Sequence, residues 1–211
     1  PTGINRSSLK LMQGSFGFFR GEVDLDGALD TKNKIQYRFN LMGMHTKSFI
    51  KFDNNDRLLI APVLKYIMSE NASVILEYIY QRFNYMLLSE AQISPYGYGT
   101  LPVDFAISGP NIRPYRATDH NAFLTYENRF VKNWLSITKL SHIQNSYDGS
   151  IMWVYERNKN NPDTLDRHYV YDAMQYSISS AQFFVQGKFT TGSVQHAVLG
   201  GMDLNHKRKS K

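Results

Sequence analysis

Polar and apolar residues alternate along most of this chain with a period of two. From Phe18 to Leu29 one parity reads Phe19, Gly21, Val23, Leu25, Gly27, Leu29, and the other Phe18, Arg20, Glu22, Asp24, Asp26, Ala28. Successive side chains of a strand leave opposite faces, so this stretch predicts a strand with one apolar or small face and one mostly charged face. Ile35 to His45 repeats the pattern, with Ile35, Tyr37, Phe39 and Leu41 against Gln36, Arg38 and Asn40. Phe183, Val185, Gly187 and Phe189 alternate with Phe184, Gln186 and Lys188. Further strands are predicted at Ser8–Gly14, Arg57–Ile67, Ser73–Phe83, Asn121–Phe130, Trp134–Asn145, Tyr171–Phe189 and Val194–Asn205. The result is an all-β chain of about nine antiparallel strands in meander order, many near the roughly 9–11 residues that cross a bilayer at a tilt. Pro62 falls inside a strand pattern and weakens it there, since it cannot donate to a ladder.

The connections alternate in length. Short turns are predicted at Asp30–Asn33, Met68–Asn71, Val131–Asn133 and Thr190–Ser193. Longer connections run over Thr46–Asp56, Asn84–Thr118 and Ser146–Asp166. Structureless connections above about 15 residues are uncommon in compact soluble domains. Short turns at one end of a meander and long loops at the other is the layout of a bacterial outer-membrane barrel, with the loops extracellular. No internal repeat, low-complexity tract or heptad pattern interrupts it.

Composition supports this reading. The 211 residues include 14 Tyr and 13 Phe against 2 Trp, an enrichment that suits strands and the two aromatic girdles of a membrane barrel. There is no Cys, which excludes disulfide scaffolds, thiolate metal sites and Cys nucleophiles. No apolar run approaches the roughly 20 residues of a transmembrane helix, and no signal peptide opens the chain. The net charge of +6 comes from scattered residues, apart from the tail Lys207-Arg208-Lys209-Ser210-Lys211. That tail reads as a solvated terminus, so no nucleic-acid partner is expected.

Several stretches resemble TonB-dependent ferric-siderophore receptors. Gly14-Ser15-Phe16-Gly17-Phe18-Phe19-Arg20-Gly21 followed by Val23-Asp24-Leu25-Asp26-Gly27 is similar to the first barrel hairpin of that family. Tyr37-Arg38-Phe39-Asn40-Leu41-Met42-Gly43 resembles its next strand, and Arg57-Leu58-Leu59-Ile60-Ala61-Pro62-Val63-Leu64 the strand after that. Tyr98-Gly99-Thr100-Leu101-Pro102 and Leu199-Gly200-Gly201-Met202-Asp203 match in the same order. The ferrichrome-type outer-membrane receptors are the nearest subgroup. The resemblance implies that residues 1–211 are a fragment of a barrel domain of about 22 strands, without its plug domain and later strands. It implies uptake of a ferric siderophore across the outer membrane of a Gram-negative bacterium, energised by the TonB–ExbB–ExbD complex through a part outside this chain. It also implies outer-membrane lipid around the wall, and no catalysis. Iron would be held by the siderophore, with no cofactor bound by protein side chains.

Ligand contacts of such a receptor need aromatic surface and a few hydrogen-bond donors. The predicted long connection Asn84–Thr118 supplies Tyr85, Tyr96, Tyr98, Phe105, Arg113 and Tyr115, with Arg116 beside them. Tyr96 and Tyr98 match the ligand-contacting loop of the ferrichrome-type receptors by position. The plainer alternative is that these rings only pack the loop. The six His residues lack HxxxH or HExxH spacing and read as isolated wall or loop residues, although His120 and His142 could approach across a hairpin. Asp163, Asp166 and His168 could be imagined as a triad, but no G-x-S-x-G elbow accompanies them. Asp24 and Asp26 read as solvated lumen residues or partners of plug arginines rather than as an acid/base pair.

Two other architectures fit the alternation: a different outer-membrane barrel such as a porin or adhesin, and a soluble β-sandwich or lipocalin-like module. The membrane reading predicts an exposed apolar band on Val23, Leu25, Ile35, Phe39, Leu41, Phe183 and Phe189. The soluble reading buries these residues in a core. An isolated nine-strand sheet leaves two open edges, so this chain alone is expected to be a curved open sheet that aggregates.

Overall fold

A computed structural model describes residues 1–88, 94, 96–161 and 163–210, with no side-chain description for 87, 88 and 155–157. The strands are β1 (Arg6–Gln13), β2 (Phe19–Ala28), β3 (Ile35–Lys47), β4 (Asn54–Ser69), β5 (Ala72–Tyr85), β6 (Leu87–Leu88), β7 (Tyr115–Val131), β8 (Trp134–Arg157), β9 (Leu165–Thr191) and β10 (Val194–Ser210). They form one sheet in the order β1-β2-β3-β4-β5-β7-β8-β9-β10, with the two-residue β6 pairing with β8. All neighbours on the main path are antiparallel. The all-β meander is therefore present, open between β1 and β10. No helix among the described residues is long and apolar enough to cross a membrane, which does not bear on crossing by strands.

The turns follow local chemistry. In the β2–β3 turn the Asp30 carboxylate accepts the Ile35 N–H at 2.7 Å, and that bond holds its carboxyl below the usual range. Asn33 takes the left-handed φ of 54° there, a conformation Asn tolerates better than most residues. Pro62 is accommodated because the β4–β5 ladder has no partners at Ala61 or Pro62, while the β3 side continues through Phe39–Pro62.

Register shows two kinds of row across the sheet. Tyr37, Leu64, Leu76, Leu124, Leu140, Ala181 and Leu204 stand side by side from β3 to β10. The next row, on the opposite face, is Gln36, Lys65, Ile75, Thr125, Lys139, Gln182 and Asp203. We call the first face outward and the second inward. The outward apolar positions form a band whose upper edge descends along the sheet, from Phe19 on β2 to Leu204 on β10. Phe19 stands opposite His45 and Leu204 shares the row of Tyr37, so the edge drops by about one residue per strand. With a rise of about 3.3 Å per residue and a spacing of about 4.8 Å between strands, this is a tilt of about 35°. Outer-membrane barrel strands tilt by about 35–45°.

Among the described residues no hydrophobic core lies behind this band. Among the described residues Met152 is the one buried hydrophobic side chain, while Leu64, Leu76, Leu140, Phe183, Phe189 and Leu204 are exposed. Val23, Leu25, Ile35, Phe39 and Leu41 are half-buried by lateral neighbours and none is enclosed. A soluble domain of this length would bury most of its apolar surface. The sandwich and lipocalin alternatives are thereby excluded. Aromatic rings mark the margins of the band. At the lower margin Trp134 stacks with Phe189 at 6.4 Å, and Phe189 with His196 at 4.7 Å. Trp134 lies so close over Gly187 that a Cβ there would fall 2.3 Å from the indole. At the upper margin Tyr78 and Tyr80 surround His120. Such girdles sit at the two interfaces of membrane barrels.

One predicted connection is corrected. Much of Ser146–Asp166 is strand: β8 continues to Arg157 and β9 starts at Leu165, so the hairpin projects well beyond the apolar band and only a short tip remains. Alternation persists through this extension, but its apolar and polar parities no longer follow the lower pattern, so it did not read as strand. The connection predicted at Asn84–Thr118 starts and ends later and earlier respectively, since Tyr85 closes β5 and Tyr115 opens β7. Residues 89–93 and 95 of it lie outside the described residues.

Candidate functional site

Above the apolar band the inward face changes from polar to aromatic. Tyr85 and Tyr115 are direct register partners, with ring centroids 5.5 Å apart. Tyr115 then stacks on Tyr147 of β8 at 5.3 Å and 27°. The Tyr147 hydroxyl donates to the Met174 sulfur at 3.3 Å. The close packing depends on Gly149, because a Cβ there would come within 2.4 Å of the Tyr115 Cα. Higher on the same face Trp153 and His168, also register partners, stack in parallel at 5.7 Å and 6°. One row below Tyr85, the Arg57 guanidinium lies 5.4 Å from the Phe83 ring centre. The inward wall beyond the membrane is thus a run of π-faces, with Arg57 beside Phe83 and the Asp172 carboxylate near Tyr115. It offers stacking surface and phenolic hydroxyls.

The six predicted contact residues divide between two places. Tyr85 and Tyr115 belong to this wall. Arg113 does not; its guanidinium forms a salt bridge with Asp148 and lies 5.2 Å from the Tyr171 ring centre, both on the outward parity of β8 and β9. The Ser150 N–H donates to the Arg113 carbonyl at 3.3 Å, and Arg167 bonds the Ile107 carbonyl. Residues 107–113 are therefore strapped to the outward side of the projecting hairpin. The Tyr96 hydroxyl donates to Asp163 at the hairpin tip at 2.6 Å. Tyr98 is fully exposed. Phe105 is half-buried in a turn closed by its N–H on the Pro102 carbonyl at 3.0 Å. Nearby, Lys51 and Asp104 pair at 2.9 Å, which holds the Asp104 carboxyl below its usual range.

Tyr147, Met174 and Trp153 are not singled out by the sequence, and His168 stands out there only as a triad or metal candidate. The available signal was parity: Tyr147 shares a face with Asn145 and Gly149, two residues either way along an extended strand. It was lost once residues 146–166 were taken as loop.

No group of three or more His, Cys, Asp or Glu able to hold a metal occurs among the described residues. Three of the six histidines have a hydrogen-bonding side-chain partner: His45 pairs with Asp56 at 2.5 Å, His120 with the Tyr78 hydroxyl at 2.7 Å and His142 with Ser179 at 2.9 Å. The imagined triad is dispersed, with Asp163 on Tyr96, Asp166 on Asn158 and His168 on Trp153. Asp24 and Asp26 are not free lumen carboxylates either. Arg38 grips Asp24 through two bonds of 2.9 Å, and Asp26, only 2% exposed, accepts the Thr2 N–H at 2.9 Å.

An exposed apolar band, tilted strands, two aromatic margins and an aromatic inner mouth are the features of an outer-membrane β-barrel wall. No family model matches the chain. It is 26% identical over 207 residues to the metal-pseudopaline receptor CntO of Pseudomonas aeruginosa, covering 96% of this chain and 28% of that protein. Among solved structures, the ferripyoverdine receptor of the outer membrane of P. aeruginosa superposes with a TM-score of 0.87 at 16% identity, over 99% of this chain and 28% of that one. The ferric-catecholate import receptor Fiu of E. coli K12 also gives 0.87, at 18% identity, over 99% and 32% respectively. The chain thus spans somewhat over a quarter of the length of the relatives it matches. The resemblance to TonB-dependent siderophore receptors is borne out: the chain has the fold of part of the barrel wall of such receptors, and its relatives are outer-membrane receptors rather than enzymes.

Proposed function

We propose that this chain forms part of the barrel through which a TonB-dependent receptor takes up a ferric siderophore, with residues 1–211 as one part of a barrel domain completed by further strands. Energy from the TonB–ExbB–ExbD complex would arrive through a plug outside this stretch. The relatives are named for different chelates, so they support uptake of a metal chelate more directly than any one ligand. The observation that carries the reading is the inward aromatic wall of Tyr85, Tyr115 and Tyr147, which faces the lumen above the membrane level. A chelate there stacks on Tyr115 and Tyr147, while iron keeps its ligands from the siderophore and takes none from the protein. Arg113, Tyr96, Tyr98 and Phe105 then serve to hold the β5–β7 connection on the hairpin, and contact with ligand by Tyr96 or Tyr98 is the competing assignment.

Binding of a ferric hydroxamate to the complete receptor, followed by quenching of intrinsic fluorescence, separates the two. Replacing Tyr115 and Tyr147 together by Ala is expected to weaken binding about tenfold, and replacing Tyr96 and Tyr98 to change it little. The reverse order moves the site to the loop. No saturable binding of any ferric chelate by the unaltered receptor overturns the uptake reading itself.

A further inference from the structure

The projecting hairpin of β8 and β9 sets a carboxylate beside an aromatic ring on each of its faces. On the outward face Asp148 and Tyr171 hold a cation of the chain itself: the Arg113 guanidinium forms a salt bridge with Asp148 and lies 5.2 Å from the Tyr171 ring centre. On the inward face Asp172 stands opposite Gly149 in the β8–β9 ladder. Tyr115 flanks Gly149 on its other side, since a Cβ on Gly149 would lie 2.4 Å from the Tyr115 Cα and 3.0 Å from its ring. Asp172 and Tyr115 therefore share one row, two strand spacings or about 10 Å apart at Cα, with no side chain between them. Tyr147, whose ring stacks on that of Tyr115 at 5.3 Å, stands opposite Met174 and so is a diagonal neighbour of Asp172. Ile151 and Val170, also register partners, close the row above. Asp172 is half-buried in these apolar surroundings. Among the described residues it has no ion pair and no side-chain hydrogen bond. The inward cations are placed elsewhere: Arg57 at Phe83 and Asn55, Lys207 over the Tyr176 ring, and Lys209 opposite Tyr176, about 13 Å further down β9.

From this arrangement, and on the basis of the uptake reading above, we propose that Asp172, with the ring faces of Tyr115 and Tyr147, receives a cationic group, an ammonium or guanidinium, carried on the rim of the incoming chelate. The ligand class is thereby narrowed to chelates with a free basic group. A carboxylate taken partly out of water is stabilised by a cation or donor brought to it, and aromatic faces attract a cation through their quadrupole. Burial raises the Tyr115 hydroxyl above its ordinary value, and Tyr147, Tyr85 and Asp172 push it the same way. The phenol stays neutral, so the negative charge beside the stacked rings is that of Asp172. The outward face of the same hairpin uses the same pair of groups, since Asp148 and Tyr171 do for Arg113 what Asp172 and Tyr115 do for the ligand. Parity keeps the two apart: Arg113 lies on the outer side, and the inward pair is left for a cation arriving through the lumen. Iron still takes its ligands from the siderophore, and the basic group lies at a distance from the metal.

The test compares two probes on the complete receptor by quenching of intrinsic fluorescence: a linear ferric trihydroxamate with a terminal primary amine, and the same chelate N-acetylated on that amine. The unaltered receptor is expected to bind the ammonium form about tenfold more tightly. Asp172→Asn should remove that preference by weakening the ammonium form alone, and unchanged affinity for the acetylated form shows that the variant folds. Asp172→Glu should keep part of the preference. Asp203→Asn, which removes another inward carboxylate lower in the lumen on β10, should leave it intact. Equal binding of the two forms by the unaltered receptor overturns the cation site and leaves the uptake reading standing. A preference that survives Asp172→Asn overturns it as well, and so does an equal loss of both forms in that variant, which would make the residue structural. A preference that falls as far with Asp203→Asn assigns the effect to the general field of the lumen and overturns the site too. No saturable binding of either form, or of any other ferric chelate, removes the uptake reading and the cation site with it.

Discussion

The same strands behave oppositely below and above the membrane level. Through the band, the outward parity of β5, β7 and β8 is Leu76, Leu124 and Leu140, and the inward parity is Ile75, Thr125 and Lys139. Beyond it, the outward parity becomes Arg82, Arg116 and Asp148, and the inward parity becomes Tyr85, Tyr115 and Tyr147. Nothing in the backbone changes between the two zones. What changes is the solvent on each side. In lipid, an outward charge has no partner, while the water-filled lumen accepts Lys and Thr. Above the bilayer, water bathes the outside, and the inside becomes the place where a ligand can be received on rings. The period of two is thus a property of the strand, but the chemistry assigned to each parity is set by height.

Four changes would break or sharpen this contrast, in order of expected effect. Leu124→Arg puts a charge in the lipid-facing row and should destabilise the complete barrel by about 2–4 kcal/mol, read from denaturant unfolding in lipid vesicles. The matching inward change Thr125→Arg should cost far less, and equal costs would dissolve the distinction between the faces. Gly149→Ala drives a methyl into the Tyr115 backbone and should cost about 1–3 kcal/mol, with chelate affinity falling alongside; an unaffected affinity would uncouple Gly149 from the aromatic wall. Tyr147→Ala alone should weaken ferric-chelate binding by about 1 kcal/mol with the unfolding midpoint unchanged, whereas a shifted midpoint with unchanged binding would make the upper wall structural. The smallest effect belongs to Asp104. Its pairing with Lys51 depresses the folded-state pKa, so the stabilisation is present above the unfolded carboxylate value of about 4 and is lost as pH falls through the lower folded value. Proteolysis of the β5–β7 connection should accelerate modestly over that acid range, and Asp104→Asn should flatten the dependence.

Legibility in the sequence followed the same division by height. Strands crossing the bilayer face two unlike media, so Phe18–Leu29 and Ile35–His45 announce themselves by clean alternation, and the short turns by Asp30, Asn33 and Gly192. Tyr85 and Tyr115 were picked out as chemistry but placed in a loop. Tyr147 and Trp153 are not legible as wall residues, and His168 reads only as a triad or metal candidate, because their strands project into water on both sides, where alternation no longer separates apolar from polar. Asp26 read as a solvated carboxylate because its partner, the Thr2 N–H, lies far away along the chain.

By itself the sequence determined the membrane-crossing strands, their two-faced character and the resemblance to outer-membrane receptors, because each depends on period, turn residues and ordered motifs that neighbouring residues encode. The tertiary structure alone decided which residues meet. Register brought Tyr85, Tyr115 and Tyr147 into one stack, turned Arg113 to the outside of the hairpin, and set Asp172 across Gly149 from Tyr115. A slip of one residue reverses every face, and that alignment depends on the whole ladder rather than on any single segment.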